Sequence, residues 1–84
     1  MARSIKVLST PQATQALDAK LLGQYVRAKR TQSGLRIDDA AQLCGVSVET
    51  ISRIETAKNS VRLESLFRVL SGLGLQLRIE PWKS

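Results

Sequence analysis

The stretch Ile37-Asp38-Asp39-Ala40-Ala41-Gln42-Leu43-Cys44-Gly45-Val46-Ser47-Val48-Glu49-Thr50-Ile51-Ser52-Arg53-Ile54-Glu55 decides how this chain folds. Residues 37–44 read as a short helix whose two carboxylates, Asp38 and Asp39, sit at the positive end of its dipole. Gly45-Val46-Ser47 reads as a tight turn, with Ser47 able to cap the next helix. Residues 48–55 form that second helix, with Ile51 and Ile54 on its buried side. Counting from Ile37, Ala41 is fifth, Gly45 ninth, Ile51 fifteenth and Ile54 eighteenth. Two helices that cross closely need a small residue at their contact, and a tight turn needs glycine. The two isoleucines pin the second helix to the body, so its opposite face projects.

Outward from this stretch, the pattern stays helical on both sides. Residues 1–10 form a brief strand or an arm, with Ile5, Val7 and Leu8 as its apolar side chains. Ser9-Thr10-Pro11 reads as a helix start, a hydroxyl cap followed by proline at the first helical position. Leu17, Leu21, Leu22, Tyr25, Val26 and Lys29 then follow at three- and four-residue spacings. Asp18 can equally cap a second helix, so one bent helix or two remains open. Ser33-Gly34 closes the segment. Beyond the central stretch, Lys58-Asn59-Ser60 is a polar loop. Leu63, Leu66, Phe67 and Leu70 mark a further amphipathic helix closed by Gly72 and Gly74.

The end of the chain changes period. Leu75-Gln76-Leu77-Arg78-Ile79-Glu80-Pro81 alternates apolar and polar residues, the mark of a half-buried strand. One strand cannot satisfy its own backbone. It must pair with residues 5–8 or with the same strand of a second copy. The second option is preferred, since it closes into an isologous dimer through Leu75, Leu77 and Ile79. The expected class is therefore mostly α. A bundle of four to five helices spans 11–74, an arm precedes it over 1–10, and a dimerisation strand and tail occupy 75–84.

Composition narrows the function. At 84 residues and 43% hydrophobic content, the chain is one small globular domain. A lone cysteine and no histidine exclude a disulfide framework and the usual zinc sites, and no cofactor or metal is expected. Cys44 and Tyr25 read as core residues. With no histidine base, no phosphate-cradling glycine loop and no metal-spaced carboxylates, catalysis is not expected. No apolar run approaches the roughly 20 residues of a membrane span, and no signal peptide is evident, so a soluble cytoplasmic protein is expected. The net charge of +6 is concentrated. Arg3, Lys6, Lys20, Arg27, Lys29, Arg30 and Arg36 face only Asp18 within residues 1–36, while residues 37–84 are balanced. A basic pole on a small domain suits a polyanion such as DNA.

Gly34-Leu35 through Gly45-Val46-Ser47, followed by Thr50-Ile51-Ser52-Arg53-Ile54-Glu55, resembles the lambda/434-repressor-like (Xre-type) helix-turn-helix family over residues 21–74. The Gly-Leu turn, alternating strand and terminal Trp82 are similar to the ending of HipB-type antitoxins. The resemblance implies a lambda-repressor-like bundle and a DNA-binding repressor, homodimeric on an inverted-repeat operator. It further implies the antitoxin of a HipBA-like system that represses its own operon and binds a kinase-type toxin. The family's pair of an arginine ending the first helix and the glutamate that follows the recognition helix's buried apolar residue falls on Arg30 and Glu55. Base contacts fall on Ser47, Val48, Glu49, Thr50 and Arg53, the last able to reach guanine O6 and N7. Phosphate contacts fall on Gln32, Arg36, Ser52, Lys58, Asn59 and Arg62, and Trp82 is a candidate anchor for a protein partner. The chain departs from the family at one position. The family's phosphate-binding glutamine at the start of the first motif helix is replaced by Ile37, followed by two carboxylates. That substitution supports one alternative reading, a non-DNA interaction module that keeps the fold without the readout; the other alternative is a stand-alone phage-like regulator of the same fold without a toxin.

Overall fold

The computed structural model describes residues 5–12 and 14–81. Four helices occupy them: α1 (Ala19–Gln32), α2 (Ile37–Cys44), α3 (Val48–Thr56) and α4 (Leu63–Leu73). Of the two helix starts offered by the sequence, Asp18 is the one used. Its carboxylate accepts the Leu21 N–H at 2.8 Å. The expected helix at Ser9-Thr10-Pro11 does not form. Between Pro11 and Leu17 no large apolar side chain exists to bury. A short helix without a packed face does not repay its nucleation.

Each later boundary has its own local cause. Gly34 takes φ +72°, and the chain turns back so that the Leu35 N–H reaches the Arg30 carbonyl at 3.1 Å. Asp39 accepts the Arg36 N–H at 3.1 Å at the head of α2. An arginine side chain has no acceptor, so the capping there is one-sided. Gly45 closes α2 at φ +71°, and Ser47 opens α3 by accepting the Thr50 N–H at 3.1 Å. α3 ends on Ala57 at φ +56°, a left-handed conformation that costs a non-glycine residue about 1–2 kcal/mol. Gly74 closes α4, and Leu75 donates back to the Leu70 carbonyl at 2.7 Å.

The core lies where the four helices meet. Val26, Ala40, Ile51 and Val69 are fully enclosed, joined by Ala41, Cys44, Ile54, Leu70 and Leu73. α1 packs mainly on α3, and α2 bridges α3 and α4. Two glycines permit close approach. Gly23 lies against the Ile54 and Glu55 carbonyls, so α1 and α3 touch backbone to backbone. Gly72 lies inside α4 rather than ending it, and any Cβ there would meet Cys44 Sγ at 2.6 Å. The buried stripe of α4 runs through Leu66, Val69, Leu70 and Leu73. Leu63 and Phe67 therefore fall on its outer side, 63% and 50% exposed. Tyr25 is half-buried rather than enclosed.

The ends of the chain differ from each other. The N-terminal segment is held against the end of α1: Leu8 donates its N–H to Thr31 Oγ1 at 3.0 Å, and Gln32 Nε2 donates to the Leu8 carbonyl at 2.8 Å. Those bonds use Leu8's backbone, so this residue is not paired with residues 75–80. At the other end, Leu75 packs on the core while Ile79 is 95% exposed. Residues 75–80 form no strand and no ladder among the described residues, so the expected strand is not seen in the single chain. Trp82 lies outside the described residues. No described helix is long and apolar enough to cross a membrane.

Candidate nucleic-acid interface

The surface of interest is built on α3. Ile51 and Ile54 anchor one side of this helix in the core. With 3.6 residues per turn, Val48, Glu49, Ser52, Arg53 and Thr56 then point away from the bundle, with Thr50 at the margin. Val48 is largely exposed, Thr50 and Arg53 half-buried, and Ser47 and Glu49 exposed. The structure thus places Val48, Glu49 and Arg53 on the outward side of α3, with Ser47 at its start and Thr50 at its margin.

Their hydrogen bonding defines what they can offer. Ser47 Oγ caps the helix and also lies 3.0 Å from Thr50 Oγ1, so one of these two hydroxyls donates to the other. Glu49 and Arg53 pair along the helix, Oε1 to Nη2 at 2.9 Å. An exposed pair of this spacing is worth only about 0.3–0.5 kcal/mol. A base edge that matches either partner can take it from the other at little cost.

Beneath this face lies a stronger ion pair. Arg30 donates from Nε to Glu55 Oε2 at 2.6 Å and from Nη2 to Oε1 at 3.0 Å. Its third nitrogen, Nη1, donates to the Leu35 carbonyl at 3.0 Å. The two side chains are only 11% and 6% exposed. A parallel two-bond contact fixes orientation as well as distance. It therefore ties the end of α1, the turn before α2 and the last turn of α3 into one rigid unit.

The expected phosphate-contacting residues are scattered around this unit. Arg36 stands at the head of α2, its guanidinium 3.9 Å from Asp38 and 3.7 Å from Asp39. Ser52 sits half-buried on the flank of α3. Lys58, Asn59 and Arg62 are all exposed in the loop that leaves α3, where Asn59 adopts φ +65°. Gln32 is placed differently from the rest. Its amide nitrogen holds Leu8 and, at 3.0 Å, Thr10 Oγ1, so it is occupied with the N-terminal segment. Ile37 is half-buried against the core, and its side chain has no hydrogen-bonding group to offer a ligand.

Sequence reasoning passed over two residues that shape this surface. Thr31 is buried, accepting from Leu8 and donating to the Ala28 carbonyl at 3.1 Å. Gly23 sets the approach of α1 to α3. A glycine inside an apolar helical stripe was the available signal for the second. Burial pushes the Cys44 thiol above its ordinary range, and its Sγ lies 3.7 Å from the Val69 carbonyl, an inert core position. Among the described residues no cluster of His, Cys, Asp and Glu could hold a metal ion.

Known proteins place this geometry. A chain of the solved HipA-HipB-O2-O3 complex superimposes with a TM-score of 0.71 at 22% identity, covering 84% of this chain and 100% of its own. A solved chain described as MDT Protein matches with the same TM-score, identity and coverage. At this identity the likeness is one of fold. No curated protein matches the sequence. The profile of the helix-turn-helix domain family matches residues 21–79, which include all four helices from their second turn or earlier. On that match the chain belongs to the helix-turn-helix domain family.

Proposed function

We propose that this protein is a sequence-specific DNA-binding repressor that acts as a homodimer on an inverted repeat. The observation that carries the reading is α3. It is a short helix locked from behind by Ile51, Ile54 and the Arg30–Glu55 pair, and it presents Ser47, Val48, Glu49, Thr50 and Arg53 together. A rigid helix with mixed donors, acceptors and an apolar side chain suits base edges in a major groove. Phosphates flank it through Arg36, Ser52, Lys58, Asn59 and Arg62, and the charge of +6 supplies the long-range attraction.

The dimer rests on the C-terminal segment. Leu77 and Ile79 are exposed and the segment has no ladder partner among the described residues. Pairing with a second copy covers both, and two recognition helices then reach half-sites about 34 Å apart. Within this reading the protein is an antitoxin. The similarity of fold to a chain of the HipA-HipB-O2-O3 complex supports that refinement, with a kinase-type toxin as partner and Trp82 as a candidate anchor.

Selection of bound duplexes from a random pool tests the DNA reading without knowing the operator. An enriched inverted repeat with half-sites one turn apart is expected, and an unenriched pool refutes it. Sedimentation should give a dimer for the wild type and a monomer for Ile79→Asp. Copurification with the product of an adjacent gene tests the antitoxin refinement, and its failure leaves a stand-alone regulator.

A further inference from the structure

The outer side of α4 is a surface that neither the core nor the DNA reading accounts for. Leu63 and Phe67 stand exposed on it, and Leu43 at the end of α2, itself 58% exposed, stands beside them. All three line an open groove of about 720 Å³, together with the small residues Ser71 and Gly72. A lone exposed apolar side chain is ordinary, whereas three side by side along one groove mark a contact surface.

Charge and symmetry choose what covers it. Glu64 and Arg68 are the only charged residues lining the groove, both exposed, with Arg68 Nη2 3.7 Å from Glu64 Oε1. The face is therefore neutral on a chain of net charge +6, and a second copy meets no like charge there. The pair is also self-complementary. Its members are four residues, or about 6 Å, apart along one side of the helix. A two-fold axis crossing α4 level with Leu66 sets two such helices antiparallel, with Glu64 of each copy opposite Arg68 of the other. The same axis brings the two Phe67 rings together, about 3 Å apart along the helix direction, and directs each Leu63 toward the gap between Phe67 and Ser71 of the other copy. The adjoining groove shares Phe67 and Ser71 and has Leu77 and Arg78 on its far side. Leu77 is the middle of the 75–79 alternation, so an axis beside Phe67 also runs beside the centre of that segment.

Resting on the dimer reading above, we infer that the outer side of α4 packs against α4 of a second copy and forms a second half of the homodimer interface. Phe67 meets Phe67 of the second copy, Leu63 fills the groove beside Ser71, and Glu64 pairs with Arg68 across the axis. The ion pair within one helix is exposed and loose, so exchanging it for the pair between copies costs little. The contact also fixes the recognition helices. α2 meets α4 closely at Gly72 and packs on α3, so the crossing of the two α4 helices sets how far apart the two α3 helices stand.

The test is sedimentation of the full chain at low salt, where exposed charges are least screened. Glu64→Arg and Arg68→Glu each put two like-charge contacts into a symmetric dimer, and each should raise its dissociation constant about tenfold or more. An equimolar mixture of the two variants restores opposite charges across the axis of the mixed dimer. It should return to near the wild-type constant, a recovery that misfolding of either variant cannot produce. Phe67→Ala removes a ring twice per dimer and should raise the constant about a hundredfold. Charge variants that self-associate as tightly as wild type, or that show no recovery on mixing, overturn the α4 contact. If Ile79→Asp is monomeric in that same experiment, the dimer through the C-terminal segment stands without it. A wild-type chain that stays monomeric overturns the dimer reading and the α4 contact together.

Discussion

Replacing Gly23 with alanine tests whether α1 and α3 meet backbone to backbone. A Cβ at this position would lie 2.8 Å from the Glu55 carbonyl oxygen and nearer still to that of Ile54. Ordinary carbon–oxygen contact begins at about 3.3 Å, so the helices must part by about half an ångström or more. Neither obstacle is a flexible side-chain end. The movement also draws Glu55 away from Arg30, whose shorter bond to it is 2.6 Å. Against this, alanine favours a helix over glycine by about 1 kcal/mol. Overpacking costs about 1–3 kcal/mol, and rigid neighbours put this site at the upper end. The net loss is about 2 kcal/mol, or roughly 8–16 °C in Tm for a domain of this size. Urea unfolding followed by circular dichroism reads it, provided the m value is unchanged. Gly34→Ala is the control, because nothing lies within 4 Å and only its φ of +72° resists the change. That variant should lose about 1–2 kcal/mol through conformation alone, with the Arg30–Glu55 unit undisturbed. A Gly23→Ala protein as stable as wild type, or more stable, refutes the close contact, since that is how a solvent-facing helical glycine behaves.

Three further outcomes rest on the same geometry. Glu55→Gln leaves the nearly buried Arg30 without its counter-charge and should cost about 3 kcal/mol in urea unfolding, while Arg30→Met combined with Glu55→Leu recovers much of it. Arg53→Ala should relax preference at one base position by about 1–3 kcal/mol, read by competition among single-base variants of the selected duplex, with stability within about 0.5 kcal/mol of wild type. Because burial holds the Cys44 thiol neutral, its contribution to stability is complete below the ordinary thiol range near pH 8.5 and is lost as pH rises through the higher folded value. Cys44→Ala should therefore flatten the alkaline limb of a stability–pH profile.

The motif was legible because its constraints are local and strict. Gly45 at φ +71°, Ser47 as a cap and Ile51 with Ile54 inside all come from spacing, since each is dictated by neighbours within a few residues. The flanks were less legible. Ser9-Thr10-Pro11 has the chemistry of a helix start, but a cap chooses between starts only when an apolar face comes after it, and the buried face begins at Leu21, just beyond Asp18. Leu63 and Phe67 share a spacing with the true stripe of α4. The position of α2 across Gly72 rotates the buried side onto Val69 and Leu73 instead. Gln32 is polar, exposed and near the basic pole, which made it a phosphate candidate. Its engagement with Leu8, 24 positions away, depends on a path of the N-terminal segment that no periodicity encodes.

The central claim is that α3 reads sequence while the surrounding charge only attracts. Fluorescence anisotropy with the DNA upstream of the protein's own gene, against a scrambled duplex at two salt concentrations, tests it most directly. The account predicts a preference of about a thousandfold or more for the native duplex, retained at the higher salt. Equal binding to both duplexes, collapsing together as salt rises, contradicts it and leaves the basic pole as a phosphate attractor without readout.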